Sequence, residues 1–165
     1  MVERYLIELH EKLFIGNEVD CFYEERPNWS VVHACKHPCH RNALGYSGNL
    51  SNRHPNYLIF EKGSHLFLNM VDMNKSLSHF YTEPIVIKVL DFIEKRIKEN
   101  NVLIHCNQGL SRAPSLALLY LAKRKGVIDN NSYQRAKDDL KKLYAVYTPG
   151  NGIYVYLTKH WNDLH

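Results

Sequence analysis

Short apolar runs alternate with longer stretches of helical period along the chain, and this alternation sets the expected elements. Arg4–Leu9 and Lys12–Ile15 read as strands. Asn17 is placed to cap a short helix over Glu18–Tyr23. Trp29–Ala34 is apolar and β-branched, a third strand. Pro38–Asn56 carries Gly, Asn, Ser and two prolines and reads as one long loop, a kind that is often functional in a compact domain. Tyr57–Phe60 and His65–Asn69 are further strands, joined through Lys62-Gly63. Val86, Val89, Leu90, Ile93 and Ile97 recur at helical spacing and predict a helix to about Glu99. It begins between Ser78 and Thr82, because Pro84 fits best in a first turn.

Asn101–His105 is a short apolar run suited to a buried central strand. Ala113–Lys125 predicts a helix that is apolar nearly all round, with Pro114 in its first turn and Gly126 at its end. Lys123, Arg124 and Lys125 fall in its last turn, where cations oppose the helix dipole. Ser132 caps a helix to Tyr144, and Ile153, Tyr156, Leu157, Trp161 and Leu164 mark one face of a final helix. Strands mixed with helices and a helical tail predict an α/β fold: one domain over residues 1–165, with a central, mostly parallel sheet flanked by helices.

Composition narrows the class. The chain has 165 residues, 45% hydrophobic and 23% charged, which excludes a disordered, collagen-like or coiled-coil protein. The longest uncharged apolar stretch, Leu116–Ala122, is too short to cross a bilayer, so no membrane role is expected. The opening Met1-Val2-Glu3-Arg4 has no apolar signal core, and four cysteines do not make a disulfide scaffold. Both observations lead to the expectation of a reduced, cytoplasmic location. A net charge of +4 suits an anionic substrate without demanding nucleic acid.

The chemistry concentrates in Val102–Ser115, which runs from a buried strand through a turn into a helix N-terminus. Backbone N–H groups of such a turn converge into an anion nest, and the helix dipole adds positive potential. Gly109 frees the backbone at the tightest point. Arg112 closes on two oxygens of a tetrahedral anion with its planar fork. Cys106 lies beneath that anion, where the same positive potential favours its thiolate. A nucleophile below a cradled phosphate is the arrangement for in-line displacement.

Taken together, His105-Cys106, five residues and Arg112 resemble the signature loop of cysteine-dependent protein tyrosine phosphatases, in the version of the small dual-specificity phosphatases. Leu13–Asn17, Leu68–Asp72 followed by Leu77–Phe80, and Pro149–Ile153 resemble that family's opening strand, acid-bearing segment and turn into the last helix. The resemblance implies a protein tyrosine phosphatase-like fold and hydrolysis of phosphotyrosine, with phosphoserine or phosphothreonine as further substrates. It makes Cys106 the nucleophile, Arg112 the phosphate clamp and Asp72 the general acid. Asn107, Gln108, Gly109, Leu110, Ser111 and Arg112 supply the loop amides. His105 and Ser111 support the site from behind. No metal or cofactor is implied, because the nest and Arg112 provide the positive charge. The partner is a phosphoprotein or phosphopeptide. Asp20 and Asp91 are poorer acids, since each lies in a predicted helix.

One position departs from the pattern: most members carry Ser or Thr after the arginine, where this chain has Ala113. The phosphatases of regenerating liver also read Arg-Ala-Pro. The departure predicts slow hydrolysis of the phosphocysteine, unless the Ser111 hydroxyl faces the thiolate.

His33, Cys35, His37, Cys39 and His40 invite a zinc reading, but their spacing is wrong for paired knuckles and no second cluster follows. The resemblance offers another role: the strand ends beside the catalytic loop, and Lys36, His37, His40, Arg41 and Arg53 form a basic rim. A merely solvated loop is the alternative. By analogy with some family members, Cys35 is a candidate disulfide partner of Cys106 under oxidation. Three other functional readings stay open: an RNA 5′-phosphatase, a phosphoinositide phosphatase and a phospho-binding module with little turnover. Asn107 and Leu110 stand where lipid-directed relatives carry lysines, which argues against the second.

Overall fold

A computed structural model describes residues 6–165. Its six strands are β1 (Ile7–His10), β2 (Leu13–Gly16), β3 (Trp29–His33), β4 (Ile59–Lys62), β5 (His65–Leu68) and β6 (Asn101–His105). They form one sheet in the order β1-β2-β6-β3-β5-β4. The inner pairs β2–β6, β6–β3 and β3–β5 are parallel, and the outer strands β1 and β4 run antiparallel to their neighbours. β6 is central because its apolar run buries on both faces. Ile104 pairs with Ile15 on one side and Val32 on the other, while His105 pairs with Gly16 and His33.

The two faces are covered unequally. Alternate residues such as Ile15, Val32, Ile104 and Cys106 join the main core, formed with α2 (His79–Arg96), α3 (Arg112–Leu119), α4 (Tyr133–Leu143) and α5 (Asn151–His160). The intervening Val31 and Leu103 pack with Phe22 in a small cluster on the other face. A second small group there joins Cys35, Cys39 and Phe67.

Several predicted boundaries move. The start of the first predicted strand, Arg4, lies outside the described residues. The segment after Asn17 holds only a 3₁₀ turn, Glu18–Asp20. Its capping box is complete, with Asp20 accepting from Asn17 N–H and Asn17 Oδ1 accepting from Val19 N–H. The long loop is partly built: a wide π-type turn, Lys36–His40, leads into α1 (Arg41–Leu44), which ends at Gly45 with φ +75°. α2 starts at His79, within the expected window, but Pro84 falls in its second turn. α3 passes into a π-type turn, Tyr120–Lys125, before Gly126. Trp161 and Leu164 lie beyond α5, in and just after a 3₁₀ turn. Among the described residues, no helix is long and apolar enough to cross a membrane.

Candidate active site

The sheet sets the site at the C-terminal edge of β6. The chain leaves His105, turns over Cys106–Ser111 and enters α3 at Arg112. Strand alternation sends Cys106 towards the helices, where it is 2% exposed, and sends His105 to the opposite face. The Cys106 sulfur accepts from Gly109 N–H at 3.3 Å and from Ala113 N–H, in the first turn of α3, at 3.5 Å. Those two donors and the helix N-terminus aim positive potential at the sulfur.

Gly109 has φ +73°, and a Cβ there would stand 3.1 Å from the Gly16 carbonyl oxygen. Both the conformation and the close approach of β2 therefore require glycine. The turn is held from outside as well. Tyr144 Oη donates to Gly109 O at 2.8 Å, Thr148 N–H to Leu110 O at 2.8 Å, and Glu18 N–H to Asn107 O at 3.1 Å.

Arg112 is buried and braced. It donates from one terminal nitrogen to Met70 O at 3.1 Å and from the other to Asn107 Oδ1 at 2.6 Å. Its Nε–H is buried without a partner among the described residues. An orphaned charged donor is costly unless an anion completes it, which suits a phosphate clamp. Of the other loop residues, Gln108 is exposed, Asn107 and Leu110 are half-buried, and Gly109 and Ser111 are buried.

Asp72 lies in the exposed loop after β5. The loop is tied to the clamp at Met70, two residues before the carboxylate, because Met70 O accepts from Arg112 and also from Lys36 N–H. Its far side is tied to the start of α5: Gly152 N–H donates to Met73 O at 2.8 Å, and Asn151 Nδ2 donates to Asn74 O at 2.7 Å. Asp72 packs on Gly150, whose N–H donates to Ser111 Oγ at 2.8 Å. Asp72 thus joins Cys106 and Arg112 on one edge of the sheet, although it lies far from them in the sequence. Asp20 and Asp91 are occupied elsewhere, Asp20 in the cap of Asn17 and Asp91 in an ion pair with Arg124.

Two expected supports work differently in detail. The Ser111 hydroxyl oxygen accepts from Gly150 N–H, so it braces the turn into α5. His105 Nδ1 lies 3.4 Å from the Cys106 carbonyl oxygen, so the imidazole supports the backbone of Cys106. The expected basic rim also loses a member. His40 is fully buried, bonded to Tyr46 Oη at 2.7 Å and to Asn56 O at 2.9 Å, and pins the long loop from inside. His37 is exposed and contacts Arg41 at 3.1 Å, while Lys36 is half-buried and donates to Asn49 Oδ1.

All four cysteines are free thiols, and the close sulfur neighbour of Cys35 is Cys39, at 2.7 Å. Behind α3, Ser115 Oγ, Tyr147 Oη and Tyr133 Oη form a buried chain with links of 2.7 and 2.8 Å. Burial pushes the Tyr147 hydroxyl up to about 12. A cleft of about 250 Å³ lies against the segment that carries Asp72, lined by Lys36, Asn49, Tyr57, Met70, Val71 and Tyr81.

The contacts the sequence reading missed are those of tertiary packing. The Asn107 side chain orients Arg112, the Met70 carbonyl seats it, and Gly152 holds the loop that carries Asp72. Only the Pro149–Gly152 turn carried a local signal, and that signal did not say what it touches.

The site is thus a buried cysteine under a strand-to-helix turn, beside a braced arginine. The profile "Dual specificity phosphatase, catalytic domain" matches residues 29–144, and the chain belongs to that family. Human dual specificity protein phosphatase 16 is 36% identical over 99 residues, covering 59% of this chain and 14% of that protein. Mouse dual specificity protein phosphatase 8 is 27% identical over 101 residues, with the same coverage of both chains. The matched stretch is thus a small part of either relative. Among solved structures, the human tyrosine phosphatase-like serine/threonine/tyrosine-interacting protein superposes with a TM-score of 0.67 at 16% identity, over 98% of both chains. Human DUSP28 gives 0.62 at 17% identity, over 98% of this chain and 96% of that one. These likenesses establish the fold.

Proposed function

We propose that the chain is a cysteine-dependent phosphatase that hydrolyses phosphotyrosine, with phosphoserine and phosphothreonine as further substrates, in proteins or peptides. The observation that carries this reading is the Cys106 sulfur, under the N–H groups of Gly109 and Ala113 and beside the open Nε–H of Arg112. The Cys106 thiolate attacks phosphorus in line with the ester oxygen. Arg112 and the loop amides hold the equatorial oxygens as charge builds on them. The ester P–O bond breaks, and Asp72 gives its proton to the departing oxygen. Asp72, now a carboxylate, takes a proton from water that attacks the phosphocysteine. The S–P bond breaks, inorganic phosphate leaves, and Cys106 returns as thiolate.

Two features favour a protein substrate. Loop positions Asn107 and Leu110 lack the lysines that a polyanionic lipid head group would need. Val71 and Met73, both exposed beside Asp72, offer apolar contacts to an aromatic ester. The decisive test is hydrolysis of p-nitrophenyl phosphate without added divalent cation, comparing wild type with Cys106→Ser. Turnover that disappears in the variant is expected. Tight phosphopeptide binding with no turnover in the wild type would instead make the chain a phospho-binding module.

A further inference from the structure

We propose that Cys21, His33, Cys39 and His105 form a tetrahedral site for Zn²⁺ on the thin face of the sheet, directly behind the phosphate loop. The four residues come from four segments: just after the 3₁₀ turn, the end of β3, the turn Lys36–His40 and the end of β6. Each offers one ligand atom, and these atoms lie within 4.8 Å of one another. His33, Cys39 and His105 are buried and Cys21 is half-buried, so the site is closed to solvent on most sides.

The spacing fits the ion. Zinc–sulfur and zinc–nitrogen bonds of about 2.3 and 2.0–2.1 Å give tetrahedral edges of about 3.8 Å between sulfurs, 3.6 Å between sulfur and nitrogen, and 3.3 Å between nitrogens. The Cys21 and Cys39 sulfurs are 4.0 Å apart. Cys21 Sγ is 3.5 Å from His33 Nδ1, and Cys39 Sγ is 3.7 Å from His105 Nε2. His33 Nδ1 and His105 Nε2, at 2.7 Å, need to open slightly. Two thiolates and two neutral imidazoles make the loaded site uncharged, as a buried ion requires. This soft sulfur–nitrogen set suits Zn²⁺ and excludes Mg²⁺ or Ca²⁺.

Proton placement gives the independent argument. The Glu24 and Cys106 carbonyl oxygens can only accept, so His65 Nε2 (3.0 Å) and His105 Nδ1 (3.4 Å) must donate to them. In the tautomer with its proton on Nε2, His65 accepts at Nδ1, and His33 Nε2, at 2.9 Å, donates to it. Both remaining nitrogens, His33 Nδ1 and His105 Nε2, therefore present lone pairs to each other across 2.7 Å. Two facing lone pairs repel unless thiol protons from Cys21 and Cys39 or an electrophile take them, and Zn²⁺ takes both at once. Ligating histidines are oriented in just this manner, with the far N–H donating to a carbonyl, directly or by relay. Binding releases two thiol protons and forms two Zn–S and two Zn–N bonds, with no change of oxidation state.

The consequence is positional. The thin face has little apolar packing, and the ion would join β3, β6 and the segment after β2 at the edge that supports Cys106. His105 would act as a positioning residue, holding the backbone from which the nucleophile projects.

The test is metal content and spectroscopy on the reduced full chain. About one zinc per chain is expected after expression with zinc, by elemental analysis. Titration of apo-protein with Co²⁺ should give the intense visible bands of tetrahedral cobalt and a thiolate-to-cobalt charge-transfer band. Cys21→Ser/Cys39→Ser should lose both signals, whereas Cys35→Ser and Cys106→Ser should keep them. Should the double variant fail to fold, the wild-type zinc content and cobalt spectrum decide alone. Wild-type protein with trace metal and no tetrahedral cobalt bands would overturn the site. So would loss of metal in Cys35→Ser or Cys106→Ser.

Discussion

At the scale of single residues, each part of the proposed chemistry has its own kinetic signature. Asp72→Asn should lower kcat by about 10²–10⁴-fold for esters with poor leaving groups such as phosphotyrosine. It should change p-nitrophenyl phosphate turnover far less, because p-nitrophenolate departs without a proton. Equal losses on both substrates would remove Asp72 from the acid role. Ala113 is fully buried and its N–H lies 3.5 Å from the Cys106 sulfur, so no hydroxyl at this position assists the departing thiolate. Ser111 does not replace it: its oxygen faces Gly150 N–H, and among the described residues the hydrogen bonds to the Cys106 sulfur come from Gly109 and Ala113 N–H. A phosphocysteine that accumulates at steady state is therefore expected by mass spectrometry of quenched enzyme. Ala113→Ser should lower that accumulation and raise kcat several-fold.

At the scale of elements, the loop that carries Asp72, the proposed acid, is a rider on α5. Gly152 passes so close that a Cβ would come within 2.4 Å of the Lys75 carbonyl oxygen and 2.5 Å of that of Met73. Gly152→Ala should push the loop away and carry Asp72 with it. The expected result is a fall of about tenfold or more in kcat for phosphotyrosine, a smaller fall for p-nitrophenyl phosphate, and a stability loss of about 1–3 kcal/mol by urea titration. An unchanged ratio between the two substrates would show that the α5 contact does not position the acid. Most elements were legible from periodicity and caps: Ser132 accepts from Arg135 N–H at 3.2 Å, and Gly126 closes the turn after α3 with φ +69°. The misreadings fall where local signals compete with packing. A complete capping box at Asn17 holds a single 3₁₀ turn, because Cys21 at once turns extended. The wide turn at Lys36–His40 breaks helical φ/ψ at His37, a geometry that no hydrophobic period announces.

At the scale of the whole molecule, stability and site share one strand. β6 is paired on both sides and leads directly into Cys106, the proposed nucleophile, so its packing governs both. Ile104→Ala, fully buried between Ile15 and Val32, should cost about 2–5 kcal/mol of unfolding free energy, seen as a lower urea midpoint. Activity per folded molecule should fall less than stability. The sequence alone determined the α/β class, the central strand and the local loop from Cys106 to Arg112. Those features rest on neighbours in the chain: alternation, a glycine with positive φ, and a helix N-terminus. Only the tertiary structure decided what meets across the sheet. It brought Asp72 to Gly150 and Ser111, seated Arg112 on Met70, and turned His40 inward. It also gathered Cys21, His33, Cys39 and His105 from segments with no common spacing. The physical reason is that parallel strands are joined by long crossovers, so residues at one sheet edge come from distant parts of the chain, and no local pattern records their register.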